Sequence, residues 1–213
     1  MIIPFTYPYD TVIVANGTFP RHPTPLSFLR NASRIICCDG ATESLLGYGL
    51  EPDFITGDMD SLSQTLKQRY SQRLHHDTDQ ETNDLTKAVN FCTERQWNKI
   101  TILGATGKRE DHSIGNISLL LDYAANAQVQ MITDYGVFMP LSCSGCFESF
   151  AGQQVSIFSI TPDTIFTFQG LKYPLSKQTL TSWWQGTLNE ALGNEFYIEM
   201  DCGKALIFRQ HQT

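Results

Sequence analysis

The stretch Pro52-Asp53-Phe54-Ile55-Thr56-Gly57-Asp58-Met59-Asp60-Ser61 reads as a short strand over 53–56 that runs into a glycine turn bearing two acids. The same grammar recurs on both sides of it. Upstream, the apolar run Thr11–Ala15 ends at Asn16-Gly17 and is followed by a Pro-rich loop, and Arg34–Cys38 ends in Asp39-Gly40-Ala41 before a short helix. Downstream, the short segment Arg73–His76 leads into Asp79-Gln80-Glu81-Thr82-Asn83-Asp84. Thr82 or Asn83 can cap a helix whose apolar face runs through Ala88, Val89, Phe91 and Cys92. Lys99–Leu103 then ends at Gly104-Ala105-Thr106-Gly107, a helix is predicted from about Asp111 to Ala125, and Val129–Thr133 closes the series. Strands alternating with helices in this way imply a mostly parallel sheet covered by helices.

After about Gly136 the pattern changes. Short strands at 154–158, 164–168, 195–199 and 205–208 are separated by Gly and Pro turns, and no long amphipathic helix is evident. That reads as a small antiparallel β domain, a sandwich or barrel. The expected fold class is therefore α/β + β: a mostly parallel, Rossmann-like α/β domain over 1–135, then an antiparallel β-sandwich domain over 136–213. No internal repeat or low-complexity linker separates the two.

Composition narrows the function. The 213 residues carry a net charge of −7. The segment Asp39–Asp84 holds ten acids against three Lys or Arg, so it accounts for the whole excess. A nucleic-acid surface needs a basic stripe, and none is present. No apolar run is long enough to span a membrane, and the N-terminus lacks the basic and apolar regions of a signal peptide. Cytoplasmic, reducing surroundings are the expectation. Of the six cysteines, adjacent Cys37 and Cys38 read as small core residues, and Cys143-Ser144-Gly145-Cys146 has the spacing of half a metal or redox site with no second half.

Like charges crowded together raise each other's pKa and destabilise a fold unless a cation lies between them. Mg²⁺ is the ordinary solution, because it takes oxygen ligands and carries substrate phosphates on its open positions; solvated acidic loops are the plainer alternative. In open α/β sheets ligands bind beyond the carboxyl ends of the strands. Asp39, Asp58, Asp60, Asp79 and Asp84 all follow expected strand ends, as does the Gly104–Gly107 turn. After that turn, at a helix start, Arg109 can grip phosphate as a planar fork. Asp111 either orients Arg109, binds metal or caps the helix, and His112 contacts phosphate or is structural. Lys87 reaches the same rim or is a solvated helix charge. The chain has neither a P-loop nor a complete dinucleotide-binding glycine motif.

Taken in order, Asp39-Gly40-Ala41, the 52–61 stretch, Asp79–Asp84 with Lys87, and Gly104-Ala105-Thr106-Gly107-Lys108-Arg109-Glu110-Asp111-His112 resemble the motifs of the thiamine pyrophosphokinase (thiamine diphosphokinase) family. The resemblance implies an N-terminal α/β domain that binds Mg-ATP, a C-terminal β-sandwich that helps bind thiamine, and a homodimer with active sites at the subunit interface. It implies Asp39, Asp58, Asp60 and Asp84 as Mg²⁺ ligands, with Asp58, Asp60, Asp84 and Arg109 carrying catalysis. Gln80, Arg109, Asp111 and His112 would complete the nucleotide contacts. Gly170-Leu171-Lys172-Tyr173 is similar to the family's Gly-Leu-Lys-aromatic element, which places Tyr173 on thiamine. Gly186-Thr187-Leu188-Asn189-Glu190 is similar to a segment ending in Ser-Asn-Glu, with Asn189 as a substrate contact and Leu188 where Ser is usual. Glu81 and Asn83 also stand where Asp and Thr are common. The implied reaction transfers pyrophosphate from ATP to thiamine, giving thiamine diphosphate and AMP. Alternatives are a pyrophosphokinase for another hydroxymethyl heterocycle, such as a pterin, a non-catalytic nucleotide or thiamine diphosphate sensor, and a Mg²⁺-dependent phosphohydrolase.

Overall fold

A computed structural model describes residues 2–212. Its first part runs β1 (Ile2–Ile3), β2 (Thr11–Val14), α1 (Pro23–Arg30), β3 (Arg34–Cys38), α2 (Ala41–Gly47), β4 (Phe54–Gly57), α3 (Gln64–Arg69) and β5 (Leu74–His76). It continues through α4 (Asp84–Glu94), β6 (Lys99–Leu103), α5 (Glu110–Ser118), α6 (Leu120–Tyr123) and β7 (Gln128–Ile132). The remainder is β8 (Gly136–Leu141), β9 (Gly145–Glu148), β10 (Gln154–Ser159), β11 (Ile165–Gln169) and β12 (Leu175–Thr179). A single 3₁₀ turn (Trp183–Gly186) then precedes β13 (Asn189–Glu190), β14 (Glu195–Met200) and β15 (Ala205–Gln210). The fold is mixed α/β with two sheets. The chain divides into two compact units, residues 8–134 and residues 2–7 with 135–212.

In the 8–134 unit the strands lie in the order β5-β4-β3-β2-β6-β7, every neighbouring pair parallel. The strand interiors are mostly apolar because helices deny them solvent: Val12, Ile13, Val14, Ile36, Cys37, Ile55, Ile100, Ile102 and Met131 are all buried, and buried Gln130 donates to Thr101 Oγ1 at 2.9 Å. Helix α4 begins where Asn83 accepts a hydrogen bond from the Thr86 amide at 2.9 Å, and it buries Leu85, Ala88, Val89, Phe91 and Cys92. That spacing is one face of a 3.6-residue helix. The order of strands matters for function. From β2 the chain winds outward through β3, β4 and β5, then crosses back so that β6 lies on the other side of β2. The loops after β2 and β6 meet at this reversal of strand order, the place where open α/β sheets form their binding crevice.

Two local expectations change. The Pro-rich stretch after Gly17 contains α1, which starts with Pro23 in its first turn and is capped by His22, whose Nδ1 accepts from the Thr24 amide at 3.2 Å. Proline is at home there, since the first helical N–H has no partner to lose and φ is preset. The single helix expected between Asp111 and Ala125 is two, α5 and α6, interrupted at Leu119.

In the other unit β1 pairs in parallel with β9, and β9-β14-β11-β12 continue antiparallel. The first residues thus pack with the C-terminal strands instead of the α/β region. A second antiparallel set runs β8-β15-β10-β13. Alternate residues fill the core, with Phe147 and Phe196 stacked at 5.1 Å beside Val155, Ile157, Phe166 and Ile198. Arg209 is fully buried, and its guanidinium donates to the carbonyls of Glu148 at 2.8 Å and Pro4 at 2.7 Å. Burial lowers its pKa to about 10, and these carbonyls supply the compensation a buried cation requires.

Candidate active site

The acids gather at the carboxyl ends of β3 and β4. Met59 follows β4 with φ +66° and is buried, which leaves Asp58 and Asp60 on the accessible side of the turn. Gly57 sits at φ +141°, and a Cβ there would lie 3.1 Å from both the Asp39 Cβ and the Asp84 Oδ1. The missing side chain is what lets four acids close around one turn. One oxygen from each of Asp39, Asp58 and Asp60 falls within a common 4.8 Å. Ser61 braces the group: its amide donates to Asp39 Oδ2 at 2.9 Å and its hydroxyl to Asp60 Oδ1 at 3.0 Å.

Electrostatics mark the cluster as incomplete. Burial, with Asp84, Asp60 and Asp58 nearby, raises the Asp39 pKa despite the Ser61 amide. Burial and the neighbouring acids raise Asp84 as well, against the pull of Lys87. Asp58 is lowered, chiefly by the Asp60 amide donating to it. Asp39 Oδ1 is buried with no hydrogen-bond partner. Converging carboxylate oxygens, one of them unpartnered, could hold a hard divalent cation, which takes oxygen ligands of this kind. Lys87 is not the solvated helix charge it could have been: its side chain is 3 % exposed and its Nζ lies 3.5 Å from Asp84 Oδ1.

Beside the acid turn is a cleft of about 380 Å³, lined by the loops after β2 and β6 and by the starts of α4 and α5; of the four acids Asp84 lines it, and Asp39, Asp58 and Asp60 do not. Gly17 is jammed against the β6 loop, where a Cβ would come within 2.4 Å of the Gly104 and Thr106 carbonyls. The amides of Gly17 and Thr18 donate to those same carbonyls at 2.7 and 2.8 Å. Asp84, Arg109 and His112 all line the cleft, together with Asn16, Lys108 and Asn116. Arg109 is exposed and forms a two-pronged pair with Asp111, at 3.1 Å (Nε to Oδ1) and 2.5 Å (Nη2 to Oδ2). That pairing and the His112 amide hold the Asp111 carboxyl down at about 2. Asp111 therefore orients Arg109, and the helix-capping position belongs to Arg109 itself.

Other expected residues lie elsewhere. Asp79 accepts from the Glu81 amide and the Thr82 hydroxyl, which makes it a loop brace. Gln80 is exposed, outside the cleft lining, with its amide donating to the Thr78 carbonyl at 3.3 Å. In the other unit Asn189 is buried, and its side chain clamps Tyr173 at both backbone groups. Its Oδ1 accepts from the Tyr173 amide at 3.0 Å and its Nδ2 donates to the Tyr173 carbonyl at 2.8 Å. The Tyr173 ring itself is exposed, as are Trp183, Trp184, Leu188 and Leu192. Asn16, Asn116 and Lys108 were not expected; the only signal for Asn16 was the Asn-Gly pair ending β2, and Asn116 is placed by its bond to the Ala105 carbonyl at 2.8 Å.

Fold and site together define an α/β protein with a cleft at the switch point of a parallel sheet, lined by Asp84 and Arg109 and set beside a cluster of three further carboxylates. Residues 26–133 match the thiamin pyrophosphokinase catalytic domain, and residues 136–208 match the thiamin pyrophosphokinase substrate-binding domain. The chain belongs to the thiamine pyrophosphokinase family. It is 28 % identical over 178 residues to thiamine pyrophosphokinase of Bacillus subtilis, covering 79 % of this chain and 83 % of that protein. It is 31 % identical over 153 residues to thiamine pyrophosphokinase 1 of rice, covering 60 % of this chain but 57 % of the rice protein. A match to rice thiamine pyrophosphokinase 3 spans 37 % of that protein, so the chain covers about half the length of these two rice relatives. The fold is shared with the crystal structure of the Bacillus subtilis enzyme, at TM-score 0.77 and 24 % identity over 95 % of this chain and 100 % of that one. The yeast structure agrees at TM-score 0.77 and 16 % identity, over 94 % of this chain and 85 % of that one.

Proposed function

We propose that this chain is a thiamine diphosphokinase, transferring the terminal pyrophosphoryl group of ATP to the hydroxyethyl oxygen of thiamine and releasing AMP. The observation that carries the reading is the acid cluster with its unpartnered Asp39 oxygen, beside a switch-point cleft that Asp84 and Arg109 line, in a chain matched by both domains of the family. The 8–134 unit would be the Rossmann-like nucleotide and metal domain, and the C-terminal strands a β-sandwich that takes thiamine.

Asp39, Asp58 and Asp60 would hold Mg²⁺, with Asp84 beside them. When bound, the ion supplies charge neutralisation for the phosphate oxygens. Arg109, oriented by Asp111, would grip phosphate with its planar fork, and His112 and the α5 amides would extend that grip. The chemistry asks for alignment more than for covalent help. The thiamine oxygen attacks the β-phosphorus, the bond to the α-phosphate oxygen breaks, and a rim carboxylate, Asp84 or Asp58, takes the hydroxyl proton. Tyr173, fixed by Asn189, would offer its exposed ring to the thiamine heterocycle, and Gln80 would approach the nucleotide from its loop. Exposed Trp183, Trp184 and Leu188 suit burial against a second copy in a homodimer. A cytoplasmic location fits the free cysteines. No described helix is long and apolar enough to cross a membrane. The pterin and sensor readings are not favoured by the family match.

Purified protein incubated with Mg-ATP, with and without thiamine, tests the proposal by chromatography. Thiamine-dependent AMP in equal amount with thiamine diphosphate is the expected result; AMP formation independent of thiamine, or none, refutes it.

A further inference from the structure

The turn after β6 contains a backbone cost that the rest of the site does not explain. Gly107 and Lys108 adopt left-handed conformations in succession, with φ +79° and +60°. Glycine explains the first: a Cβ on Gly107 would lie 2.2 Å from the Thr18 hydroxyl. At the second position the same backbone carries a long, β-carbon-bearing side chain in a region that such residues rarely visit. Paired left-handed residues fold the chain back on itself, and this swings Lys108 across the cleft. Its Nζ reaches the loop after β2, donating to the Asn16 carbonyl and to Asn16 Oδ1, each at 3.1 Å. Both residues line the cleft, with Arg109 adjacent.

The arrangement joins the two walls of the crevice at the place where strand order reverses. Asn16 offers only neutral oxygens, so it is a weak partner for an ammonium compared with a phosphate oxygen. Arg109, by contrast, holds an exposed ion pair with Asp111, a charged partner that it must exchange for phosphate. Lys108 is the cation on this wall whose present partners are uncharged.

We infer that Lys108 is a polyphosphate-binding residue of this site, parked on Asn16 in the ligand-free protein and transferred to a phosphate oxygen of the nucleotide when the cleft fills. The inference rests on the nucleotide-binding part of the proposed function and adds a residue to it. Its contact is with the substrate, so its loss is read first in Mg-ATP affinity and in KM.

Titration calorimetry with Mg-ATP on the wild type, Lys108→Met, Lys108→Gly and Lys108→Arg tests it, alongside steady-state kinetics. The Met variant removes the charge and keeps a long side chain on the left-handed backbone; the Gly variant removes the charge and relieves the backbone. Both are expected to weaken Mg-ATP binding about tenfold, the scale of one charge-assisted hydrogen bond, with the KM for Mg-ATP rising in step. Arginine, keeping the charge, is expected within about threefold of wild type. Thermal melts separate folding from binding: the Gly variant melts no lower than wild type and still binds weakly. Wild-type affinity in both the Met and Gly variants overturns the inference, as does a wild type that binds no Mg-ATP. A wild type that binds Mg-ATP through Lys108 but makes no thiamine-dependent AMP upholds the inference and refutes the pyrophosphokinase reading.

Discussion

Asp84 and Arg109 both line the cleft, and each is held by a partner of opposite charge, yet the two pairs are opposite in kind. Lys87 is buried behind Asp84, so the cation is fixed and the carboxylate faces the acid cluster. Arg109 and Asp111 are both solvent-exposed, so that pair can open and exchange partners. The acid wall is a permanent structure that stores repulsion. The opposite wall is a set of cations on movable partners. A buried partner changes how much a fold is worth, and an exposed partner changes what a ligand finds.

The largest expected effect falls on the acid wall. Asp58→Ala and Asp60→Ala each lower turnover by about a thousandfold or more, the scale of losing charge stabilisation at a reacting group, while circular dichroism stays native. Near-normal rates in either would remove the acids from the chemistry. Lys87→Met comes next and tests whether Lys87 belongs to the fold: it destabilises the metal-free protein by about 2 kcal/mol, below the full cost of breaking a buried pair because Asp84 is partly exposed. Added Mg²⁺ recovers part of that loss; a melting curve indifferent to both the substitution and the metal would dissolve the contrast between the walls.

Asp39→Asn moves the other way. It removes one of the crowded charges and keeps an acceptor for the Ser61 amide, so the metal-free protein melts about 2–4 °C higher while activity falls. The pH dependence shares that sign. Asp39 and Asp84 have folded pKa values raised above their ordinary range. Their favourable contribution is therefore present at low pH and lost as pH rises through the folded values, from about 4 upward. Metal-free stability should decline across that window less steeply in Asp39→Asn, read by denaturant melts at successive pH values. The smallest effect is Asp111→Asn. Its carboxyl is held at about 2, so its contribution is present above the ordinary aspartate value and lost as pH falls toward 2. On a fully exposed pair the change in melting temperature is within error, and only the Mg-ATP affinity drops.

Much of this was legible in the sequence, because parallel strands buried on both faces are plain apolar runs and their ends are marked by Gly, Asp and Asn. The bounds of β3 and β6, the Asn83 cap of α4 and the acids after β3 and β4 follow from local rules alone. Helix α1 was hidden because Pro23 and Pro25 read as loop residues unless the first helical turn is recognised. That the Asn189 side chain clamps the Tyr173 backbone depends on a loop residue sixteen positions away, which no local pattern specifies.

The sequence alone determined where chemistry-bearing side chains stand along the chain, since the period of apolar residues and the turn residues that interrupt it are local properties. Tertiary structure alone decided which of them meet. Asp79 and Asp58 are alike in composition and follow neighbouring strands, but one braces its own loop and the other joins Asp39 and Asp60 within 4.8 Å. Asn16 and Lys108 lie ninety-two residues apart and touch only because β2 and β6 are neighbours at the point where strand order reverses. Lateral strand order is set by the packing of helices across the whole sheet, a sum over distant contacts that no stretch of the chain carries by itself.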